Sequence, residues 1–272
     1  MNTDLTDAEW ALVANLFERG GQRGAPPRFA RRLMVSACCY ALRTGCAWRL
    51  LPKSFPPWQA VYKSFKRWAE AGTFEAMHDR LRQQWRDRVG KAPEPKAAII
   101  DAQSTQHAPR RQHRLRRRQE GIGRKRHLVV DTLGLLLAVT ITAASVQDRD
   151  AAAEVVAQAC TKFPGMKKLY AVGAYGSKCA QAIERTHGIS VEVVRHPGNR
   201  SAGTWQDARQ PLWSEVVPKG FVVQAKRWVV ERTHAWNERS RRLMNHHDRS
   251  TWAPTAWVWL AEARILATRL AT

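Results

Sequence analysis

Apolar residues recur at helical spacing through the first 90 residues of the chain. The tetrad Thr6–Glu9 has the form of a capping box and precedes the apolar residues Trp10 and Leu16. The stretch Arg31–Arg43 is apolar on most sides, which is typical of a buried helix, and Gly45 follows as a stop signal. Residues 1–90 are therefore predicted to form a helical domain.

A later helix of this part has one apolar and one basic face. Pro56 and Pro57 open it, and Val61, Phe65 and Trp68 recur along its apolar side. The other face carries three cations, Lys63, Lys66 and Arg67. A helix, a short turn and a basic amphipathic helix form the layout of a helix-turn-helix DNA-binding domain. An ordinary helical bundle with a solvated basic face explains the pattern equally well.

The pattern changes to strands after residues 89–96, where two prolines and a glycine disfavour a continuing helix. Short apolar runs predict five strands, near 97–100, 127–130, 135–142, 169–172 and 191–194. Helices are predicted at 148–163, 178–186, 226–242 and 255–270, and the polar stretch 196–220 is an insertion or long loop. The early hairpin requires antiparallel pairing, and the later crossovers favour parallel pairing. Residues 91–272 are therefore predicted to be a mixed α/β domain, with a mixed five-stranded sheet flanked by helices.

The net charge of the chain limits the classes of molecule that it is expected to bind. The 272 residues include 45 Lys and Arg against 23 Asp and Glu, a formal net charge of +22, and 44% of the residues are hydrophobic. A folded, strongly cationic protein is expected to bind a polyanion, either nucleic acid or an anionic membrane surface. No apolar run approaches the roughly 18 residues of a membrane span. The five cysteines and the absence of a secretory pattern in the first residues predict a cytoplasmic protein.

Two acids stand where a nucleic-acid-processing protein could hold Mg²⁺. Asp101 directly follows the run 97–100 and is expected at the carboxyl end of a strand, and Glu231 lies in the predicted helix 226–242. Carboxylates and phosphate oxygens are the ligands that Mg²⁺ prefers, and a pair of ions can stabilise both the attacking and the leaving oxygen. From these residues alone, a turn or cap role for Asp101 and a helical ion pair for Glu231 are the simpler interpretations.

Four motifs resemble the DDE transposases of bacterial insertion sequences, most closely the branch grouped as family five, near family four. They are Ile100–Thr105, Gly123–Leu136, Val146–Asp150 and Arg227–Thr233. Residues 5–10, 43–52 and 58–68 resemble the leading helical domain of that branch. The resemblance implies an RNase H-like core and an Asp-Asp-Glu triad that binds Mg²⁺ or Mn²⁺. It also implies double-stranded DNA as partner (element ends and target), a homodimer on that DNA, no membrane, and a place at the bacterial nucleoid.

The resemblance assigns the triad residue by residue, and one position departs from it. Asp101 matches the first Asp and Glu231 matches the Glu, but Val172 stands where the second Asp is expected, before Gly173-Ala174-Tyr175. Valine offers no lone pair to a cation. The remaining acids have other expected roles, Asp131 in a hairpin turn, Asp148 as a helix cap and Asp150 in a first helical turn. An insertion-sequence transposase with impaired cleavage and strand transfer is therefore predicted; the alternative is a catalytically inactive, transposase-derived DNA-binding protein.

Two basic groups are candidate DNA contacts. Nine cations lie between residues 110 and 126 and include Arg116, Arg117, Arg118, Arg124, Lys125 and Arg126. A run of charge is usually a solvated loop, but beside an active-site strand in a protein of this charge we interpret it as a phosphate-binding segment. Arg227 and Arg232 form a second group on the helix of Glu231.

Overall fold

The computed structural model describes residues 3–18, 27–106, 123–194, 226–245, 247–248 and 250–272. Two predictions lie outside these ranges: Arg116, Arg117 and Arg118 in the basic segment, and the insertion at 196–220. The described part before residue 90 contains the helices α1 (Asp7–Ala11), α2 (Ala14–Phe17), α3 (Arg31–Thr44), α4 (Trp58–Glu70) and α5 (Thr73–Arg88). The predicted helical character of this part is confirmed.

The ends of the first helices follow the sequence signals. Thr6 Oγ1 accepts a hydrogen bond from the backbone N–H of Glu9 at 3.2 Å, and the Glu9 carboxylate accepts from the N–H of Thr6 at 2.8 Å, which completes the capping box. Gly45 ends α3 with φ 70°. A side chain at this position would lie 3.1 Å from Cβ of Arg241, so glycine suits both the backbone conformation and the close approach.

The connection between α3 and α4 differs from the short turn that the sequence predicted. It covers residues 45–57 and contains a 3₁₀ turn at Trp48–Leu50. A helix-turn-helix joins its two helices by about three or four residues. Prolines at 52, 56 and 57 and the 3₁₀ turn lengthen this connection, because proline cannot continue a helix beyond its first turn. The basic face of α4 is nevertheless exposed, as predicted.

A mixed five-stranded sheet forms the second part of the chain. Its strands are β1 (Ala97–Gln106), β2 (Gly123–Asp131), β3 (Leu136–Ala143), β4 (Lys168–Val172) and β5 (Ser190–Val194), in the order β3-β2-β1-β4-β5. β1 to β3 pair antiparallel, and β4 pairs parallel to both β1 and β5. The described helices here are α6 (Asp148–Lys162), α7 (Ser177–His187), α8 (Arg227–Glu238), α9 (Arg241–Met244) and α10 (Trp252–Ala271). The predicted mixed α/β class is confirmed.

Two differences from the predicted element lengths affect the candidate site. β1 continues to Gln106 because its polar second half still exchanges backbone hydrogen bonds with β2, so Asp101 lies within the strand and not at its end. The predicted helix 226–242 is divided into α8 and α9. Ser240 has an extended conformation, φ −101° and ψ 107°, and separates them. Among the described residues, no helix is long and apolar enough to cross a membrane.

Apolar side chains fill a layer on each face of the sheet. One layer packs α6 and α7 against side chains such as Ile100 and Val129. The other contains Ile99, Leu128 and Val130 of the sheet together with helices from both parts of the chain. In it, the rings of Phe65 in α4 and Trp257 in α10 stack with centroids 4.1 Å apart. The helices before residue 90 therefore share a continuous core with the sheet and with α10.

A buried ion pair joins the helical part to the sheet. Asp131, fully buried at the end of β2, pairs with Arg86 of α5, which also donates to the carbonyl of Ala92 at 2.7 Å. The other carboxylate oxygen of Asp131 accepts the N–H groups of Leu133 at 2.8 Å and Leu135 at 3.0 Å. The predicted hairpin role of Asp131 is confirmed, and the ion pair adds a tie between α5 and that hairpin.

A second buried acid belongs to α10 itself. Glu262 is 2% exposed, and burial raises the pKa of its carboxyl to about 8 against the opposite effect of Arg269 and Arg126. Burial likewise lowers the pKa of Arg126 to about 10. The carboxyl therefore keeps its proton in the folded protein at pH values where an exposed glutamate has lost it.

The Arg86–Asp131 pair predicts a large stability loss for Asp131→Ala. The substitution leaves a buried guanidinium without its carboxylate, so we expect the free energy of unfolding to fall by about 3–5 kcal/mol, measured by urea titration. The control is Asp7→Ala, which removes a carboxylate that is 94% exposed and pairs with Arg32. Exposed pairs contribute little, so equal losses in the two variants would contradict this role of Asp131.

Glu262 predicts a pH dependence of stability. Between its ordinary pKa of 4.5 and about 8, the unfolded carboxyl is ionised while the folded one retains its proton. The unfolded state binds fewer protons there, so the contribution of this group to stability falls as pH rises through this window. Glu262→Gln should flatten that fall, as measured by urea titrations from about pH 5 to about pH 8. Glu18→Gln, a change of an exposed acid, should leave it unchanged; an unaltered slope in Glu262→Gln would refute the assignment.

Candidate active site

The pairing of β1 with β4 places residues 101 and 172 side by side. The last parallel pair is Ile100 with Ala171, and the next residue on each strand is Asp101 and Val172. On the other side of β1, Asp101 pairs with Leu128 of β2. Residues two apart on a strand point to the same face, so Asp101 lies on the face of Ile99, which α8 covers.

Asp101 is in close contact with a histidine that the sequence motifs did not single out. Its Oδ2 lies 3.3 Å from Nε2 of His234 on α8, and both side chains are largely buried. His234 follows Glu231 by three residues, which puts the two on neighbouring turns of one helix face. This three-residue spacing was the signal in the sequence that could have identified His234 as a neighbour of the site. The sequence alone did not show which face of the helix meets β1.

The hairpin between β2 and β3 holds α8 in this position. Thr233 Oγ1 donates to the carbonyl of Gly134 at 2.7 Å, and Arg232 donates to the carbonyl of Leu133 at 2.8 Å. Gly134 has φ 79°, and a Cβ there would lie 3.0 Å from Thr233 Oγ1. Further along, the Gln103 amide donates to Glu238 at 2.6 Å. The helix therefore lies along β1 with fixed contacts at its middle and at its C-terminal end.

Glu231 stands on the same stripe of α8 as His234 and Glu238, because the three follow helical spacing. Its side chain is 52% exposed, and its Oε1 lies 2.7 Å from Nε of Arg227 one turn earlier. Asp101 and Glu231 thus belong to β1 and to the helix face that runs along it. Each has a basic or titratable neighbour, His234 for Asp101 and Arg227 for Glu231.

The side chains around Asp101 and Glu231 do not supply the three carboxylates that would hold two divalent cations. Among the residues that the structure describes, no three His, Cys, Asp or Glu side chains are grouped to hold a metal ion. Position 172 contributes no carboxylate, and Arg227 already binds an oxygen of Glu231. The donor set at the end of β4 is therefore incomplete as the chain stands.

The other acids near the sheet are engaged elsewhere. Asp131 pairs with Ala98, three residues along β1 from Asp101, and is held by Arg86. Asp148 lies 3.0 Å from Nζ of Lys125. The prediction that Asp148 caps its helix is wrong by one position, because Gln147 is the N-cap and Asp148 begins α6; Asp150 lies in the first turn as predicted.

The structure separates the predicted DNA contacts into surface and interior residues. Lys63, Lys66 and Arg67 are exposed along α4. Arg126 is 3% exposed and donates to the Gln103 amide oxygen at 2.7 Å, so its predicted surface role is corrected. Strand alternation places this arginine on the covered face of β2, which the run of charges in the sequence concealed.

The remaining described residues that were predicted to contact DNA interact with other residues of the chain. Lys125 pairs with Asp148, and the backbone carbonyl of Arg124 accepts a hydrogen bond from Thr105 at 3.0 Å. The Arg232 guanidinium lies 4.8 Å and 4.7 Å from the ring centroids of Trp228 and Trp236. The ring contacts of Arg232, like the Arg227–Glu231 pair, orient side chains along α8.

Comparison with known proteins gives two family matches. Residues 92–266 match the family described as "Transposase DDE domain", and residues 5–78 match "Putative transposase of IS4/5 family (DUF4096)". "Uncharacterized protein y4sN" of Sinorhizobium fredii (strain NBRC 101917 / NGR234) is 33% identical over 75 residues, 27% of this chain. The chain spans 58% of the length of that curated relative.

The first match covers well over half of the chain and all five strands of the sheet. A DDE domain on a sheet of this order is RNase H-like, which confirms the predicted fold. The second match covers α1 to α4 and the beginning of α5, helices that share the core of that domain. The chain therefore belongs to the DDE transposases of insertion sequences.

Proposed function

We propose that this protein binds the terminal inverted repeats of its insertion sequence and that Val172 impairs its cleavage and strand transfer on that DNA. The observation that carries the proposal is the β1–β4 register, in which the residue beside Asp101 is not an acid. In the reaction, water attacks a phosphodiester at the element end, and the freed 3′ hydroxyl then attacks target DNA.

The proposed roles follow from where the side chains lie. Asp101 and Glu231 are the remaining acids of the triad, one on the central strand and one on the helix that lies along it. DDE transposase domains depend on a divalent metal, generally Mg²⁺ or Mn²⁺. Two carboxylates, one of them bound by Arg227, leave this site short of ligands. Loss of catalysis with retained DNA binding is the expected result.

Charge supports DNA as the partner. The net charge of +22 exceeds what solubility requires, and the exposed cations of α4 form a continuous basic face. We propose that the protein acts on double-stranded element ends and target DNA as a homodimer, at the nucleoid in the bacterial cytoplasm.

A catalytically inactive DNA-binding protein derived from a transposase is the second candidate. The incomplete donor set favours it, because a protein that only occupies element ends needs no third carboxylate. End binding without any metal-dependent nicking would support this candidate, whereas slow nicking by the unaltered chain would support the impaired enzyme.

Restoring the acid tests the site. Val172→Asp should raise Mg²⁺- or Mn²⁺-dependent cleavage of a plasmid carrying the element ends on the order of 100-fold, because it adds a carboxylate that can bind the divalent cation. Val172→Asn is the matched control, with similar size and no charge. Adding Asp101→Ala or Glu231→Ala to the Asp variant should abolish the gain, because such groups act as a unit.

The unaltered chain provides the decisive comparison for this assignment. If it already cleaves as well as the Val172→Asp variant, residue 172 is not a site position, and Asp148 and Asp150 become the acids to substitute. DNA binding without metal should change little across the series, because no exposed cation of α4 is altered.

The basic face of α4 predicts the salt dependence of binding. Each neutralised phosphate contributes about 0.9 to the slope of log affinity against log salt. Replacing Lys63, Lys66 and Arg67 with Gln should reduce that slope for a short duplex by about 0.9 for each phosphate that is no longer neutralised. The charge-matched control replaces Lys167, Lys178 and Arg185, which are exposed around β4 and α7. Equal slopes for the two triple variants would mean that α4 does not bind phosphates.

A further inference from the structure

A pocket rimmed by arginines opens between α3, the end of α8 and α10. It has a volume of about 410 Å³, which lies within the range of about 300–1,000 Å³ that small-ligand sites occupy. Its cations are Arg43, Arg239, Arg264 and Arg269. We call this cavity the arginine pocket. Two of its walls come from different family-matched segments, α3 from one and α8 from the other.

The floor of the arginine pocket is apolar. It consists of Cys39, Leu42, Trp236, Ala261 and Ile265. The first four are 8% exposed or less, and Ile265 is partly exposed. Burial raises the pKa of the Cys39 thiol to about 11, so its sulfur is uncharged at neutral pH. The floor therefore favours an apolar group over a charged one.

Two of the four arginines are engaged with neighbouring parts of the chain. Arg264 pairs with Glu9 and donates to the hydroxyl of Thr268 at 3.0 Å. Arg43 of α3 donates to the backbone carbonyl of Arg239, the residue that follows α8. These contacts hold the rim of the pocket in place on two sides.

Arg239 and Arg269 form no ion pair with any acid that the structure describes. Arg239 is exposed, and the Arg269 guanidinium lies 4.3 Å from the ring centroid of Trp236. Burial lowers the pKa of Arg269; Glu262 raises it, and Arg232 and Arg239 lower it further. Glu262 keeps its proton below about pH 8, so it does not neutralise the arginine. An anion in the pocket would offset this repulsion between like charges.

Cations above an apolar floor suit a ligand that has both an anionic and an apolar part. Guanidinium groups hold carboxylates and phosphates by paired, charge-assisted hydrogen bonds. A DNA backbone supplies phosphates but would leave the floor uncovered, because its sugars and phosphates are polar. An aliphatic or aromatic group attached to the anion covers the floor and adds the free energy of apolar burial.

We propose that the arginine pocket binds a small organic anion, a carboxylate or phosphate monoester with an apolar body, with its charged group at Arg239 and Arg269. The apolar body lies on Trp236 and Ile265. This site goes beyond the proposed function, because its ligand is not DNA and its occupation does not depend on DNA.

The position of the pocket gives such a ligand contact with the helix of the candidate active site. α8 carries Glu231 and ends at the arginine pocket, where Arg43 of α3 already meets the following residue. An anion bound by cations of both elements adds a second tie between α3 and the end of this helix.

The test measures binding of 2-naphthoate to the full chain by isothermal titration calorimetry. Two reference ligands each lack one part of the proposed chemistry: 2-naphthylmethanol has no charge, and inorganic phosphate has no apolar body. Both should bind at least about tenfold more weakly than 2-naphthoate, because each loses either the charge-assisted hydrogen bonds or the apolar burial.

Matched variants assign the binding to the arginine pocket. Arg239→Gln should weaken 2-naphthoate binding about tenfold, since it removes a charged hydrogen-bond donor at an exposed position. The control Arg185→Gln changes an exposed arginine of α7 outside the pocket and should leave the affinity unchanged. Ile265→Gln makes the floor polar and should weaken binding at least about threefold. If that variant fails to fold by circular dichroism, Ile265→Ala must still weaken binding.

Several results would overturn the proposal. They are no binding of 2-naphthoate to the unaltered chain, equal affinity for it and either reference ligand, and equal losses in Arg239→Gln and Arg185→Gln. A short duplex that displaces 2-naphthoate, and that binds about tenfold more weakly to Arg239→Gln, would instead make the pocket part of the DNA-binding surface. Failure to bind the duplex with 2-naphthoate binding retained would reject the proposed function and leave this site intact.

Discussion

β1 is paired on both sides, antiparallel with β2 and parallel with β4, and the placement of the candidate site depends on this double pairing. The parallel side ends at Ile100, so Asp101 is the first residue of β1 beyond the paired end of β4. The antiparallel side continues to Gln106 and gives the polar half of the strand its hydrogen bonds. Because the β2–β3 hairpin on that side also anchors α8, the pairing of one strand fixes the positions of both candidate acids, Asp101 and Glu231.

Much of this arrangement follows from local sequence signals. The periodicity of apolar residues was sufficient to predict the sheet, its flanking helices and the helical first part. The hairpin at Asp131 was predicted from the residue types that favour turns. Once the strand order was known, residues 101 and 172 could be expected to lie next to each other. The sequence could not show how far β1 extends, because backbone pairing does not require apolar side chains.

The interior polar groups could not be predicted, because their burial depends on distant parts of the chain. Arg126 looked like one more cation in a basic run, yet α10 covers it with Glu262. His234 is a neighbour of Asp101 because α8 lies over β1, and the sequence does not show that position of the helix. Arg86 and Asp131 are 45 residues apart, and no spacing rule connects them. Such tertiary contacts decide which charges remain available at the surface.

The core shared by α4 and α10 has a consequence for the synthesis and decay of this polypeptide. Phe65 needs the ring of Trp257, which the ribosome adds almost two hundred residues later, so the first helices complete their packing only after nearly the whole described chain has emerged. Contacts this distant in sequence slow folding. A gene copy interrupted before the codons of α10 would thus yield a chain open to proteases. We expect such truncated chains to be degraded and not to accumulate as stable fragments beside the intact protein.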